Sequence, residues 1–221
     1  DNAAPQRPMI VRVPSGVLLT YRPRTGFVVN PVATTGRWRD LNDDLSAVEL
    51  ADALLPFGVE VVLDGTTVRR WEYFDVPDRP EVMQAGVSGM GQARIASLMT
   101  NAFVDSGEER FAAAARDALA VLDIPVNHGG AKSMVPLEDG GRAPWYVERA
   151  YPGESPWKGA ALNGFMVSLL SLKSINARME GETSETVAGS TTAAPAANSE
   201  AAAQTARLAA PAECVTLPAD L

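Results

Sequence analysis

One stretch constrains the fold more than any other: Ala143–Ser174, APWYVERAYPGESPWKGAALNGFMVSLLSLKS. It opens on an aromatic and charged cluster of Trp145, Tyr146, Glu148, Arg149 and Tyr151. It crosses a turn rich in Pro and Gly and enters an apolar segment through Leu162-Asn163-Gly164-Phe165. The spacing of Leu162, Phe165, Met166, Leu169, Leu170 and Leu172 predicts a helix with these residues as its buried stripe, opened by Ser155 or Asn163. Polar groups on a loop that feeds a buried helix are a common way to build a site on a helical scaffold. A phenol, a carboxylate and a guanidinium together form a proton-transfer set. An aromatic-rich turn packed on a core has the same composition, so both readings stand at this point.

Upstream, Val17–Tyr21 reads as a short strand, and Pro23 with Gly26 marks a turn. Pro31 after Asn30 suits an early helical position. Residues 34–40 are poorly patterned, whereas Leu45, Val48, Ala51, Leu54 and Leu55 recur at helical spacing. Asp64-Gly65 between β-branched segments predicts a hairpin over 59–74. Residues 88–103 are apolar around most of the helix circumference, which implies burial, and 110–122 form an Ala-rich helix. Together they predict a helical hairpin joined at Ser106–Glu109. Gly-rich turns then bracket a second pair of short strands, ending in the aromatic cluster.

Helix pairs alternating with hairpins predict an all-α chain. The expected form is an incomplete α/α toroid of helix hairpins with short β-hairpins inserted. Its helices fall near 31–55, 88–103, 108–122 and 160–178, and its hairpins near 59–74 and 125–148. The expected divisions are an N-terminal extension at 1–25, the toroid domain at 26–180, and a low-complexity Ala-rich tail at 181–221. Within the tail, 181–199 reads as a flexible linker and 200–210 as a weak helix.

A net charge of -8 argues against a nucleic-acid binder, although a local basic cleft on an acidic protein still suits a polyanionic sugar. Lysine occurs only at 132, 158 and 173, so arginine carries most of the positive charge. That suits bidentate carboxylate contacts, or reflects genome composition. Cys214 is the only cysteine and His128 the only histidine. A disulfide framework and a thiolate metal site are therefore excluded, and a Ser-His-Asp triad would rest on His128, which reads as a turn residue. No apolar run reaches membrane-spanning length. The sequence opens on Asp1 and holds no signal peptide, so the compartment is undetermined, with an exported location open.

Three stretches resemble the C-terminal domain of D-glucuronyl C5-epimerases. Trp145-Tyr146-Val147-Glu148-Arg149-Ala150-Tyr151-Pro152 followed by Leu162-Asn163-Gly164-Phe165-Met166 is similar to that family's Trp-Tyr/Phe-Glu-Glu-Tyr-Pro and Leu-Asn-Gly-Phe-Met. Val87–Arg94 is similar to its Ser-Ala-Met-Ala-Gln-Gly-Gln, and Asn30-Pro31-Val32-Ala33 to its Asn-Pro-Val-Ala. The three stand in family order and span roughly 26–180. The resemblance implies an α/α toroid-like domain and an isomerase acting on a uronate-containing, heparan sulfate-like polysaccharide. Such a reaction removes the C5 proton and returns one on the opposite face, which needs no metal or redox cofactor. The implied partner is the acidic polysaccharide, with a homodimer open.

Carried over residue by residue, the resemblance makes Tyr151 the reaction-centre tyrosine. Glu148 stands three residues before it, where the family's glutamate directly precedes the tyrosine and this chain has Ala150. Glu148 fills that role only if a two-residue insertion bulges out; otherwise the glutamate is missing. Gly89, Met90, Gly91, Gln92 and Asn163 match substrate contacts, and Arg94 or Arg149 would hold the carboxylate. Simpler roles are open for each: Tyr151 hydrogen-bonded at a turn, Asn163 as a helix cap, Gln92 satisfying a loop, Arg149 in a surface ion pair. If the family geometry holds, Gln92, Tyr151 and Asn163 face one cleft. Relatives carry two further reaction-centre tyrosines late in the domain, and none follows Tyr151 here. That leaves a non-catalytic glycan-binding or vestigial domain as the second reading.

Overall fold

A computed structural model describes residues 9–22, 26–41, 45–74, 85–151 and 161–189. Backbone contacts divide the chain into two units, Asp1–Ile175 and Asn176–Leu221. The first holds nearly all the described elements. It opens with an antiparallel meander of β1 (Ile10–Arg12), β2 (Leu18–Arg22) and β3 (Gly26–Val29). This sheet joins residues on both sides of the division expected at 25/26, with Tyr21 opposite Phe27.

Helix α1 (Pro31–Leu41) begins as its proline suggests. The Asn30 side chain accepts from the Ala33 N–H at 2.9 Å, and the Thr34 hydroxyl accepts from the Leu18 N–H at 2.9 Å, tying α1 to β2. Helix α2 (Ala47–Leu54) starts in a reciprocal capping box between Ser46 and Glu49 and buries Leu50 and Leu54. A short 3-10 turn at Leu55–Phe57 leads into the hairpin of β4 (Val59–Leu63) and β5 (Thr66–Arg70). Asp64 and Gly65 take positive φ values of 49 and 76° at its tip, the geometry that matches strand twist.

Two short strands, β6 (Glu72–Tyr73) and β7 (Gly86–Val87), pair next. Helix α3 (Gly89–Ser106) follows and is the spine of the unit, packed by α1, α2 and α4. Ala93, Ile95, Ala96, Leu98, Met99 and Ala102 are all buried along it. Gly107 ends it at φ 71°, a left-handed cap. Helix α4 (Glu109–Asp123) buries Phe111 and four alanines against α3 and the β4–β5 hairpin. Small side chains let these helix axes approach closely. The hairpin of β8 (Lys132–Pro136) and β9 (Arg142–Tyr146) then delivers the chain to α5 (Leu162–Gly189).

The helices fall where the periodicity placed them, but the all-α toroid does not stand. Among the described residues, about half are helical and about a quarter lie in strands, in several small antiparallel sheets. The extra strands are two to five residues long, too short for a period-two pattern to register. They are held by pairing with neighbouring strands, at close range in the meander and across a longer gap for β6 and β7. The stripe expected to be buried on α5 is also corrected. Leu162, Met166, Leu169 and Leu170 are exposed, whereas Gly164, Ser168 and Ile175 are buried, and Phe165 and Leu172 pack against the core.

The second unit is described from Asn176 to Gly189, the remaining turns of α5. The helix thus runs past Gly181, where the linker was expected to begin. The weak helix at 200–210 and the rest of the tail lie outside the described residues, as do Pro152, Ser155 and Trp157.

Candidate active site

Strand β7 is the seam of the candidate site. Its Val87 pairs with Glu72 on one side and with Ala150 on the other, exchanging hydrogen bonds of 2.8 and 2.7 Å with Ala150. Both backbone groups of Ala150 are thereby fixed, and its side chain is buried. Tyr151 follows directly and is 7% exposed. Its ring lies over Gly86, at a spot where a Cβ would overlap the ring and also reach the Ala150 carbonyl. Close approach of an aromatic face explains a glycine at 86.

The pairing changes register one step later. The Gly89 N–H donates to the Val147 carbonyl at 2.9 Å, although continuation from Val87 and Ala150 would take it to residue 148. Glu148 and Arg149 therefore stand opposite Ser88 alone, a β-bulge of one extra residue relative to β7. A bulge re-aims the side chain it carries. The Glu148 side chain lies along the first turn of α5, where a Cβ on Gly164 would be 2.7 Å from its Cβ and 3.1 Å from Oε2. Two aromatic contacts brace this junction. Trp145 stacks on Phe165 with centroids 4.3 Å apart, and Tyr146 meets the same ring at 6.1 Å. Asn163, the second residue of α5, is exposed beside Gly164, and the carbonyl of Ala161, the residue before the helix, accepts the first helical hydrogen bond from the Phe165 N–H. Asn163 is thus not the helix cap. Arg149 is half-buried on the bulge.

The start of α3 forms the other wall. Ser88 caps it by accepting from the Gly91 N–H at 3.0 Å. Gly89 and Gly91 serve packing: a Cβ would stand 2.5 Å from the Val147 carbonyl in the first and 3.2 Å from Val32 in the second. Met90 is half-buried. Gln92 is fully buried, and its amide donates to the Trp71 carbonyl at 2.7 Å. Arg94 reaches the other way, donating to the Val32 carbonyl at 3.2 Å and lying over Gly36 on α1. Burial pulls its guanidinium down from its ordinary value, though an arginine remains charged.

The structure therefore brings Glu148 to Gly164, the residue after Asn163, with Gly89 hydrogen-bonded to the residue preceding Glu148. It does not bring Gln92 or Arg94 there: one serves Trp71 and the other serves α1. Gly86, Gly164 and the Trp145–Phe165 stack were not singled out as site residues from the sequence. Gly164 stood in the Leu-Asn-Gly-Phe run, but only the tertiary contact gives the glycine a purpose. An apolar cavity of about 270 Å³, lined by Phe27, Phe57, Val59, Trp71 and Phe74 among others, shares no residue with the Glu148 contact. Among the described residues, no group of His, Cys, Asp and Glu is arranged to hold a metal ion.

The family model of the D-glucuronyl C5-epimerase C-terminus matches residues 69–196, more than half of the chain. The chain belongs to this family. No curated protein matches it. The epimerase match begins within β5 and encloses α3, α4, both strands of the β8–β9 hairpin, the bulge and the start of α5. The meander, α1 and α2 precede it, so the Asn30-Pro31 likeness lies outside the matched residues.

Proposed function

We propose that this epimerase-family chain acts on a uronate-containing polysaccharide by removing and returning the C5 proton. Glu148 and Tyr151 are the proton carriers. One takes the C5 proton, the C5–H pair delocalises into the adjacent carboxylate as an enediolate-like charge, and the other delivers a proton to the opposite face. Nothing is consumed, and inversion at C5 is the net change. Arg149 holds the uronate carboxylate, and the exposed Asn163 contacts the sugar hydroxyls. The observation that carries this reading is the bulge at Glu148–Arg149. It supplies a carboxylate next to the Leu-Asn-Gly-Phe turn even though position 150 is alanine.

The test is deuterium uptake at C5 of a glucuronate polymer in heavy water, which needs only proton removal and return. Uptake that falls in both Glu148→Gln and Tyr151→Phe supports the proposal. A second reading, glycan binding without turnover, is favoured by the 7% exposure of Tyr151. Binding of an acidic oligosaccharide with no deuterium uptake would establish that second reading instead.

A further inference from the structure

We propose that Gly164 is the positioning residue for Glu148, an inference that rests on reading Glu148 as a proton carrier. Three atoms of the glutamate line the space a side chain at 164 would need: Cβ at 2.7 Å, Cγ at 2.9 Å and Oε2 at 3.1 Å from the place of a Cβ. Non-bonded carbons rest at about 3.5–4.0 Å, so a methyl group cannot share this space. Neither partner can retreat as a unit. The strand is pinned on both sides of the bulge, by the Val147 carbonyl to Gly89 and by the Ala150–Val87 pair. The helix is held by the Phe165 stack on Trp145 and by the packing of Phe165 and Leu172 against the core. The methyl group meets the Glu148 Cβ first, which no rotamer change moves, so the bulge must distort locally between its pins and carry Cγ and the carboxyl group out of their place.

Glycine within a helix is otherwise unfavourable relative to alanine. Here it leaves a slot along the first turn of α5, into which the bulge directs the carboxyl group. The slot holds the carboxyl group along the Gly164 backbone and limits its swing. Proton transfer depends steeply on such placement, and a displacement of about 1 Å costs about 100-fold in rate.

The experiment compares Gly164→Ala, Glu148→Gln, their combination, and Gly181→Ala, a glycine of the same helix with open space around it. The first readout is the rate of C5 deuterium uptake against polymer concentration. Gly164→Ala is expected to lose about 100-fold in rate while half-saturation moves less than about threefold. The double variant should be no slower than Glu148→Gln, and Gly181→Ala should match the wild type. Additive losses would overturn the proposal, because a purely structural glycine acts independently of the glutamate. The second readout needs no turnover: a crystal structure of Gly164→Ala should show the Glu148 carboxyl group displaced from its wild-type place. A carboxyl group in the same place in Gly164→Ala and wild type overturns the proposal. Absent deuterium uptake with the expected displacement sinks the epimerase reading but upholds the placement of Glu148. If Gly164→Ala does not fold, Glu148→Gly in the same chain should restore folding by returning the space; failure to do so also overturns the proposal.

Discussion

The Gln92 side chain clasps the backbone of Trp71 in both directions, its Nε2 donating to the carbonyl at 2.7 Å and its Oε1 accepting from the N–H at 3.4 Å. Both residues are essentially inaccessible to solvent. The clasp ties the spine helix α3 to the segment that becomes β6. Gln92→Met keeps the volume and strands both Trp71 groups, so it should cost about 2–4 kcal/mol of stability. Urea unfolding reads this directly. A variant of unchanged stability that lost glycan binding would place Gln92 in the site after all.

The second prediction concerns the seat of Tyr151. Gly86→Ala inserts a methyl group into the space occupied by the tyrosine ring. We expect a loss of about 1–3 kcal/mol, the usual cost of overpacking, together with a loss of whatever activity Tyr151 supports. Comparing Gly86→Ala with Gly86→Ala/Tyr151→Ala separates the two effects. If removing the ring fails to recover any stability, the ring is not what the methyl group meets.

Tyr146 should ionise above the usual range of a tyrosine. Burial first, and then the nearby Asp123 carboxylate, push its phenol above its usual value. Folding thus favours the neutral phenol. The stability this lends is whole below the unfolded value of about 10 and is lost as pH rises through the higher folded value. Absorbance at 295 nm during alkaline titration should show a late ionisation that disappears in Tyr146→Phe. A titration unchanged by that substitution would contradict the burial argument.

At the other end of the pH scale, the Ser46 backbone N–H and then its hydroxyl hold Glu49 below its ordinary value. The contribution is therefore present above about pH 4.3 and fades as pH falls through the lower folded value. Ser46→Ala should cost about 1 kcal/mol at neutral pH, and the gap to wild type should narrow below pH 4. Thermal melts across that range decide it; a gap that does not change with pH would mean that the carboxylate takes no part in the cap.

Leu170 provides a contrary check, since it is 63% exposed despite lying on the apolar stripe of α5. Leu170→Gln should shift stability by no more than about 0.5 kcal/mol. Phe165→Ala, which removes the ring stacked on Trp145, should cost about 3–5 kcal/mol by comparison. Equal effects at the two positions would restore the buried stripe that periodicity suggests.

The sequence by itself determined where the helices lie, because periodicity, caps and turn residues act over a few neighbouring positions. The apolar circumference of 88–103 became the buried spine, Asp64-Gly65 became a hairpin tip, and Asn30-Pro31 became a helix entry. Family membership was also readable, in the runs around Glu148–Tyr151 and Leu162–Met166. What only the tertiary structure decided depends on contacts between residues far apart in the chain. Short strands such as β1, β3, β6 and β7 exist because partner strands satisfy their backbone groups, and two to four residues carry no pattern that announces them. The face α5 turns inward was a tertiary outcome: Gly164, which leaves room for Glu148, and Ser168 are buried, while Leu162, Leu169 and Leu170 are exposed. Gln92 had the spelling of a substrate contact and was taken by Trp71, since a buried amide must find a hydrogen-bond partner wherever the fold offers one. The bulge at Glu148–Arg149 was invisible for the same reason: register is a relation between two strands, and a single strand does not carry it.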